Sequence, residues 1–339
     1  MAAATLAGSP RDDPHDEARA VMGARDRQSR GAPLAVLGSY VFGFHLNVPR
    51  LPYNGESLLG SHLQPEHGGK GSNQAVAAAR LGARVRMAAA VGRDVLGDYA
   101  CTLWEQEGVE VPVLARGTRP TGGFCVMITP DGKTYTVVDA GANEELSAAD
   151  VERFAPTIAE SPLLLAQLEL SFEAIEAGFA IARRHGARTV LTPGPYRPLP
   201  RSLLALTDVI VPNEVEAKHI AGIAADAPLA PEALAEELAA LGPQTVIVTR
   251  GAEGCFARTP DERFSLPAFA VEAVDPTGAG DSFLAGVAVA LAEGRPLREA
   301  VRRGCASGAL AVQAFGVIAG LPRRAQVEAF LAERGGAGA

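Results

Sequence analysis

Cysteine, histidine and long apolar runs are all scarce in this 339-residue chain, and each scarcity removes a class of function. The four cysteines, Cys101, Cys125, Cys255 and Cys305, stand far apart without a C-x-x-C pair, which argues against a disulfide framework or a thiolate zinc site and fits reduced thiols of the cytosol. Six histidines show no H-E-x-x-H or other ligand spacing, so no dedicated transition-metal site is expected. No stretch approaches the roughly 20 apolar residues that span a bilayer, and the N-terminus lacks a secretory h-region. The expectation is a soluble, cytoplasmic protein without a membrane partner. A net charge of −8, with no Lys/Arg run interleaved with aromatics, excludes a nucleic-acid surface while leaving room for local cationic pockets.

What is present is ample core material, since 47% of the residues are hydrophobic. Residues 1–31 are different: rich in Ala, Gly, Pro, Arg and Asp, they cannot offset their own ordering entropy and are predicted to be a disordered extension, with 335–339 a flexible tail. Between them, short β-leaning runs at 34–37, 87–91, 163–168, 189–191, 209–211 and 246–249 alternate with helical patterns at 72–81, 95–107, 171–185, 214–220 and 231–241. That rhythm predicts a doubly wound α/β/α sandwich over residues 32–334, with further helices at about 297–315 and 322–334. Two stretches break it, about 47–67 and 121–139. In the second, β-leaning 124–129 and 133–138 flank Pro130-Asp131-Gly132, a hairpin turn signal with no crossover helix following. Together these pieces are expected to form a small β lid.

Residues 275–294 open with Asp275-Pro-Thr-Gly-Ala-Gly-Asp281, a glycine-rich turn leading into a helix. Gly278 and Gly280 leave amide donors bare at a helix N-terminus, where the dipole also attracts an anion such as phosphate. Asp281 is out of place in a pure phosphate cradle, because its carboxylate repels the ligand. It suits an enzyme that takes a proton from an attacking hydroxyl. An ordinary helix start is the competing reading, but two helical glycines cost roughly 1 kcal/mol each relative to Ala, more than Asp281 returns through the dipole.

A second cluster, Gly68-Gly69-Lys70-Gly71-Ser72-Asn73-Gln74, opens another helix and brings a cation and two amides to its start; a loop followed by a Ser72 N-cap is the simpler alternative. Taken with residues 275–281, it resembles the paired signatures of the ribokinase-like (PfkB) family of carbohydrate kinases, and the resemblance extends over roughly residues 34–331. It implies ATP-dependent phosphorylation of a small sugar with magnesium. In that reading Asp281 is the base, and the amides of Gly278, Ala279 and Gly280 hold charge on the transferred γ-phosphoryl. Gly69, Lys70, Asn73 and Glu169 match family sugar contacts. Asn213, Thr249, Gly251 and Gly254, with Gly278 and Gly280, match nucleotide contacts, and Glu216 of the N-x-x-E motif organises magnesium largely through water. Asp275 and Thr277 match positions around an activating potassium ion. Family analogues also imply a homodimer paired through its lids.

Two departures bear on specificity. Where the family reads Gly-Ser-x-Asn-x-Asp, this chain reads Gly38-Ser39-Tyr40-Val41-Phe42-Gly43, so the sugar-holding Asp is replaced by Gly43 unless His45 or another group substitutes. Tyr40 and Phe42 then offer an apolar face to another acceptor, or simply pack in lid or core. The potassium loop, often Lys-Gly-Ala-x-Pro-Ser, is here Phe315-Gly316-Val317-Ile318-Ala319-Gly320. A nucleoside kinase on the same fold, and a non-catalytic sugar- or nucleotide-sensing protein, are the alternatives.

Overall fold

A parallel strand is covered on both faces and therefore needs apolar residues on both. Leu34, Ala35, Val36 and Leu37 meet that demand, all four fully buried in β1 (Pro33–Gly38). The same holds for β8 (Leu163–Gln167) and β11 (Thr245–Thr249). The computed structural model describes residues 31–335, so the expected N-terminal extension and C-terminal tail lie, but for their inner ends, outside the described residues.

Besides those strands the main sheet contains β4 (Arg84–Val91), β5 (Glu110–Arg116), β9 (Arg188–Thr192), β10 (Val209–Ile210), β12 (Cys255–Arg258) and β13 (Arg263–Leu266). Its order is β13-β12-β11-β10-β9-β8-β1-β4-β5, parallel from β5 through β11 and closed at one edge by the antiparallel β12 and β13. From β1 the chain builds outward in both directions, to β4 and β5 on one side and to β8–β11 on the other. The crevice beyond the carboxyl ends of β1 and β8 is thus a topological switch point, where doubly wound sheets bind ligands. Two apolar clusters lie on the two faces of the sheet, one around Leu34, Met87, Trp104 and Leu284, the other around Leu37, Phe154, Phe179 and Leu234.

The second sheet has the order β3-β2-β6-β7, from β2 (Val41–Asn47), β3 (Ser61–Gly68), β6 (Gly122–Ile128) and β7 (Thr134–Asp139). It takes in residues 41–47, which the sequence reading left out, while residues 48–60 carry no strand. The missed strand alternates, burying Val41, Gly43 and His45 and turning Phe42 and Phe44 the other way, but its interrupting glycine hides the pattern. Strands β5, β12 and β13 and the helix Ala148–Ala159 were also unread; β5 contains Pro112, and β12 and β13 are four residues each.

At the junction of the two sheets Tyr40 is fully buried, edge-on to Trp104 at 5.6 Å, and its hydroxyl shares a hydrogen bond with Nδ1 of His67 at 2.7 Å. Tyr40 is therefore a core aromatic and offers no face to an acceptor. Burial lowers the His67 pKa below its ordinary 6.5. Because folded His67 binds its proton less readily than the unfolded chain does, the stability linked to its burial is present above pH 6.5 and is lost as pH falls below it. The melting temperature should drop between pH 7 and pH 5.5, and His67→Gln should flatten that slope; calorimetric scans in which wild type and variant fall in parallel would contradict this account.

Candidate active site

The switch-point crevice collects charge from four elements. Helix α1 (Lys70–Arg80) begins two residues before the expected start, with Gly69 rather than Ser72 at its cap. The Ser72 hydroxyl is instead buried and accepts from Nε1 of Trp104 at 2.8 Å. Early entry into the helix directs Lys70, Asn73 and Gln74 toward the end of β8 and toward a second helix, α2 (Ala279–Ala292).

Asp281, in the first turn of α2, is 5% exposed, so its charge must be matched within the protein. Asn73 Nδ2 donates to Oδ2 at 3.0 Å and Gln74 Nε2 to Oδ1 at 2.9 Å. Each carboxylate oxygen has a second lone pair, so the group can still receive a proton from a third direction. Among the described residues Asn73 Oδ1 is buried without a partner, an acceptor free for a ligand hydroxyl.

Around this pair the charges interlock. Glu169 is not a surface acid: the Ser39 hydroxyl and the Lys70 amide (2.8 Å) both donate to its Oε2. Burial raises the Glu169 pKa, opposed by the Lys70 charge and these donors. Lys70 is held protonated first by Asp281, against its own desolvation, and further by Glu169 and Glu216. Gly194 abuts this cluster: a Cβ there would lie 2.6 Å from Oε1 of Glu216 and 3.0 Å from Cε of Lys70.

The glycine turn leaves two of its three expected amides open. Gly278, the cap of α2, adopts φ 78°, a left-handed conformation that favours glycine. Ala279 N donates to Pro276 O at 3.2 Å, so the expected role of its amide is taken up within the turn. Among the described residues the amides of Gly278 and Gly280 have no backbone acceptor, and nothing lies within 4 Å of a Cβ placed on Gly280. Asp275 accepts from Thr277 N (2.9 Å), Thr277 Oγ1 (2.6 Å) and Gly316 N (3.0 Å). Beside it, Glu66 of β3 accepts from Val317 N and pairs with His45 Nε2 at 2.9 Å. Burial, then repulsion from Asp275, raises the Glu66 pKa against those two partners.

On the other flank, Asn213 and Thr249 are bridged in parallel register. Asn213 and Glu216 form a reciprocal cap at 2.8 and 2.9 Å, which engages Oε2 of Glu216 and leaves Oε1 toward the crevice. A carboxylate with one oxygen open fits a magnesium ion that keeps its waters. Gly251 and Gly254 lie in a tight turn after β11, closed by Arg250 N on Gly254 O at 2.8 Å.

Gly43 has no space for a side chain, because its Cβ would stand 2.0 Å from Phe124 O and 2.6 Å from the Phe124 ring. That ring also lies 3.0 Å from where a Cβ of Gly68 would be. His45 is directed to Glu66 and does not restore an acid here. Ser39, Gln74, Gln167, Glu66 and Phe124 were not read as site residues. Gln74 carried a signal as the second amide at the start of its helix, and Gln167 as a polar end to an apolar run.

The pfkB family carbohydrate kinase model matches residues 32–324. The chain belongs to the PfkB family of carbohydrate kinases. It is 36% identical over 303 residues to a ribokinase of Haemophilus influenzae, covering 88% of this chain and 98% of that one. To a deoxyribokinase of Salmonella typhi it is 30% identical over 305 residues, covering 88% and 98%. Among solved structures, an Arabidopsis thaliana ribokinase complexed with ribose and ATP superposes with a TM-score of 0.81 at 29% identity, over 89% of this chain and 99% of the other. The expected ribokinase-like α/β sandwich is thereby established, and with it a carbohydrate kinase.

Loss of the Lys70 cation from among Asp281, Glu169 and Glu216 should be costly. Lys70→Met is expected to destabilise the protein by about 3–5 kcal/mol in urea titrations, and adding Glu169→Gln should recover part of that loss. A Lys70→Met protein as stable as wild type would show that the cluster is too hydrated to matter.

Proposed function

We propose that this kinase transfers the γ-phosphoryl group of ATP to a primary hydroxyl of a small sugar, with Asp281 as base. The observation that carries this reading is the buried Asp281 carboxylate beside the open amides of Gly278 and Gly280. The hydroxyl oxygen bonds to the γ-phosphorus, the bond to the β–γ bridging oxygen breaks, ADP leaves, and the hydroxyl proton passes to Asp281. A carboxylate is far less basic than an alkoxide, so that proton moves with or after the change at phosphorus. The Gly278 and Gly280 amides stabilise charge on the migrating group, while Gly69, Lys70, Asn73 and Glu169 orient the sugar. Asn213, Thr249, Gly251 and Gly254 line the nucleotide side. When bound, magnesium would neutralise the ATP phosphates, and Glu216 would hold it, largely through water. Asp275 and Glu66 repel each other and His45 pairs with Glu66, an arrangement that suits a monovalent cation such as potassium near Asp275 and Thr277.

Ribose or 2-deoxyribose heads the acceptor list, by the names of the relatives, and the filled space at Gly43 favours acceptors that do not require an acid there. The four free thiols suit the reducing cytosol. The second sheet would close over the acceptor and exclude water. Its outer face carries Phe44, Tyr135 and Val137, 42%, 38% and 68% exposed, with Phe44, Cys125 and Val137 in one row across the strands. A second copy of the chain would cover this face in a two-fold dimer. In sedimentation experiments wild type should run as a dimer and Val137→Glu as a monomer; a monomeric wild type would remove the dimer from this reading.

ADP release measured over pentoses, hexoses and nucleosides, with and without potassium, tests the assignment. Turnover should be highest with a pentose, and Asp281→Asn should cut kcat by about 100- to 10,000-fold while ATP still binds. Preference for nucleosides would move the chain to nucleoside kinases. Binding of ATP and sugar without transfer would make it a sensor.

A further inference from the structure

Behind Asp281 lies a chain of amides that no part of the transfer step itself requires. Gln74 and Gln167 are both fully buried. Gln167 Nε2, at the end of β8, donates to Gln74 Oε1 at 2.6 Å, and Gln74 Nε2 donates to Asp281 Oδ1 at 2.9 Å, with Thr192 Oγ1 at a longer 3.4 Å. Among the described residues Gln167 Oε1 has no hydrogen-bond partner. A carboxylate only accepts, so Gln74 must present its NH2 to Asp281 and its carbonyl to Gln167, and Gln167 must answer with its own NH2. We propose that Gln167 is a positioning residue for the phosphoryl-transfer base: it sets the polarity of the Gln74 amide and thereby the orientation of Asp281.

The inference rests on the reading of Asp281 as base. It gives Gln167 a role at one remove, through Gln74, without contact to substrate. Lys70 and Glu169 are the charged groups set against Asp281, with Glu216 beyond them against Lys70, and among the described residues none of the three hydrogen-bonds to the Gln74 amide.

Two substitutions at one position separate polarity from packing. Gln167→Met removes the donor and lets the Gln74 amide turn either way. Gln167→Glu keeps the shape but places an acceptor opposite Gln74 Oε1, which drives the Gln74 NH2 away from Asp281. The expected order of kcat is wild type, then Gln167→Met lower by about tenfold, then Gln167→Glu lower by about a hundredfold, with KM for sugar and ATP within about threefold throughout. The Gln167→Glu deficit should narrow as pH is lowered, because a protonated carboxyl at 167 donates again. A packing role predicts the reverse order, with the isosteric Gln167→Glu the better enzyme, and that order would overturn the proposal. So would wild-type kcat in Gln167→Glu. Should neither variant fold, neutron diffraction from the unsubstituted protein decides: the Gln74 nitrogen facing Asp281 upholds the inference, and its oxygen there ends it. Full activity of Asp281→Asn would instead defeat the base assignment, whatever position 167 does.

Discussion

Everything at this site follows from placing a carboxylate where water does not reach it. Asp281 is buried at the start of α2, and a charge in that position needs donors from a neighbouring element. Asn73 and Gln74, adjacent in sequence on α1, supply one donor to each oxygen, so the starts of two helices are locked together. Gln167 extends the clamp into the sheet. The same demand fixes Lys70, whose charge faces Asp281, Glu169 and Glu216 at once. Ser39, at the end of β1, holds Glu169 in place. Five segments far apart in the chain thus meet through charge matching, at the crevice that the strand order opens between β1 and β8.

A second set of polar contacts joins the small sheet to the glycine turn. Glu66 on β3 reaches across to Val317 and His45, and Val317 packs where a Cβ of Gly278 would stand, 2.6 Å from its Cγ1. Gly316, the neighbour of Val317, donates to Asp275. The sheet and the glycine turn therefore share one short segment, residues 315–317.

Legibility in the sequence followed the length scale of the interaction. Both glycine clusters could be read because glycine and charge in a helix's first turn conflict with helix propensity, and such local conflict marks sites. Strands buried on both faces, such as 34–37 and 163–168, could be read from their unbroken apolar runs. β2 could not, because Gly43 interrupts its alternation for a reason that lies on another strand, the carbonyl and ring of Phe124. Ser72 looked like a helix cap and became a partner of Trp104. Ala279 looked like an open donor, but the turn folds its amide onto Pro276. Each of these came from a competitor for the same polar atom or the same space, Phe124 and Trp104 from distant segments and Pro276 from within the turn itself.

The residue types determined the chemistry: a carboxylate after two glycines at a helix start, a lysine and two amides at another, and apolar runs that only a covered parallel sheet accommodates. These are local properties of dihedral preference, dipole and hydrophobic pattern, carried by neighbours in the chain. Tertiary structure decided which donor meets which acceptor: that Gln74 faces Asp281, that Glu169 is paired with Ser39 and Lys70, and that Phe124 closes the space at Gly43. Those outcomes depend on strand order and on the burial that makes an unpaired polar group costly, and neither is a property of any short stretch of sequence.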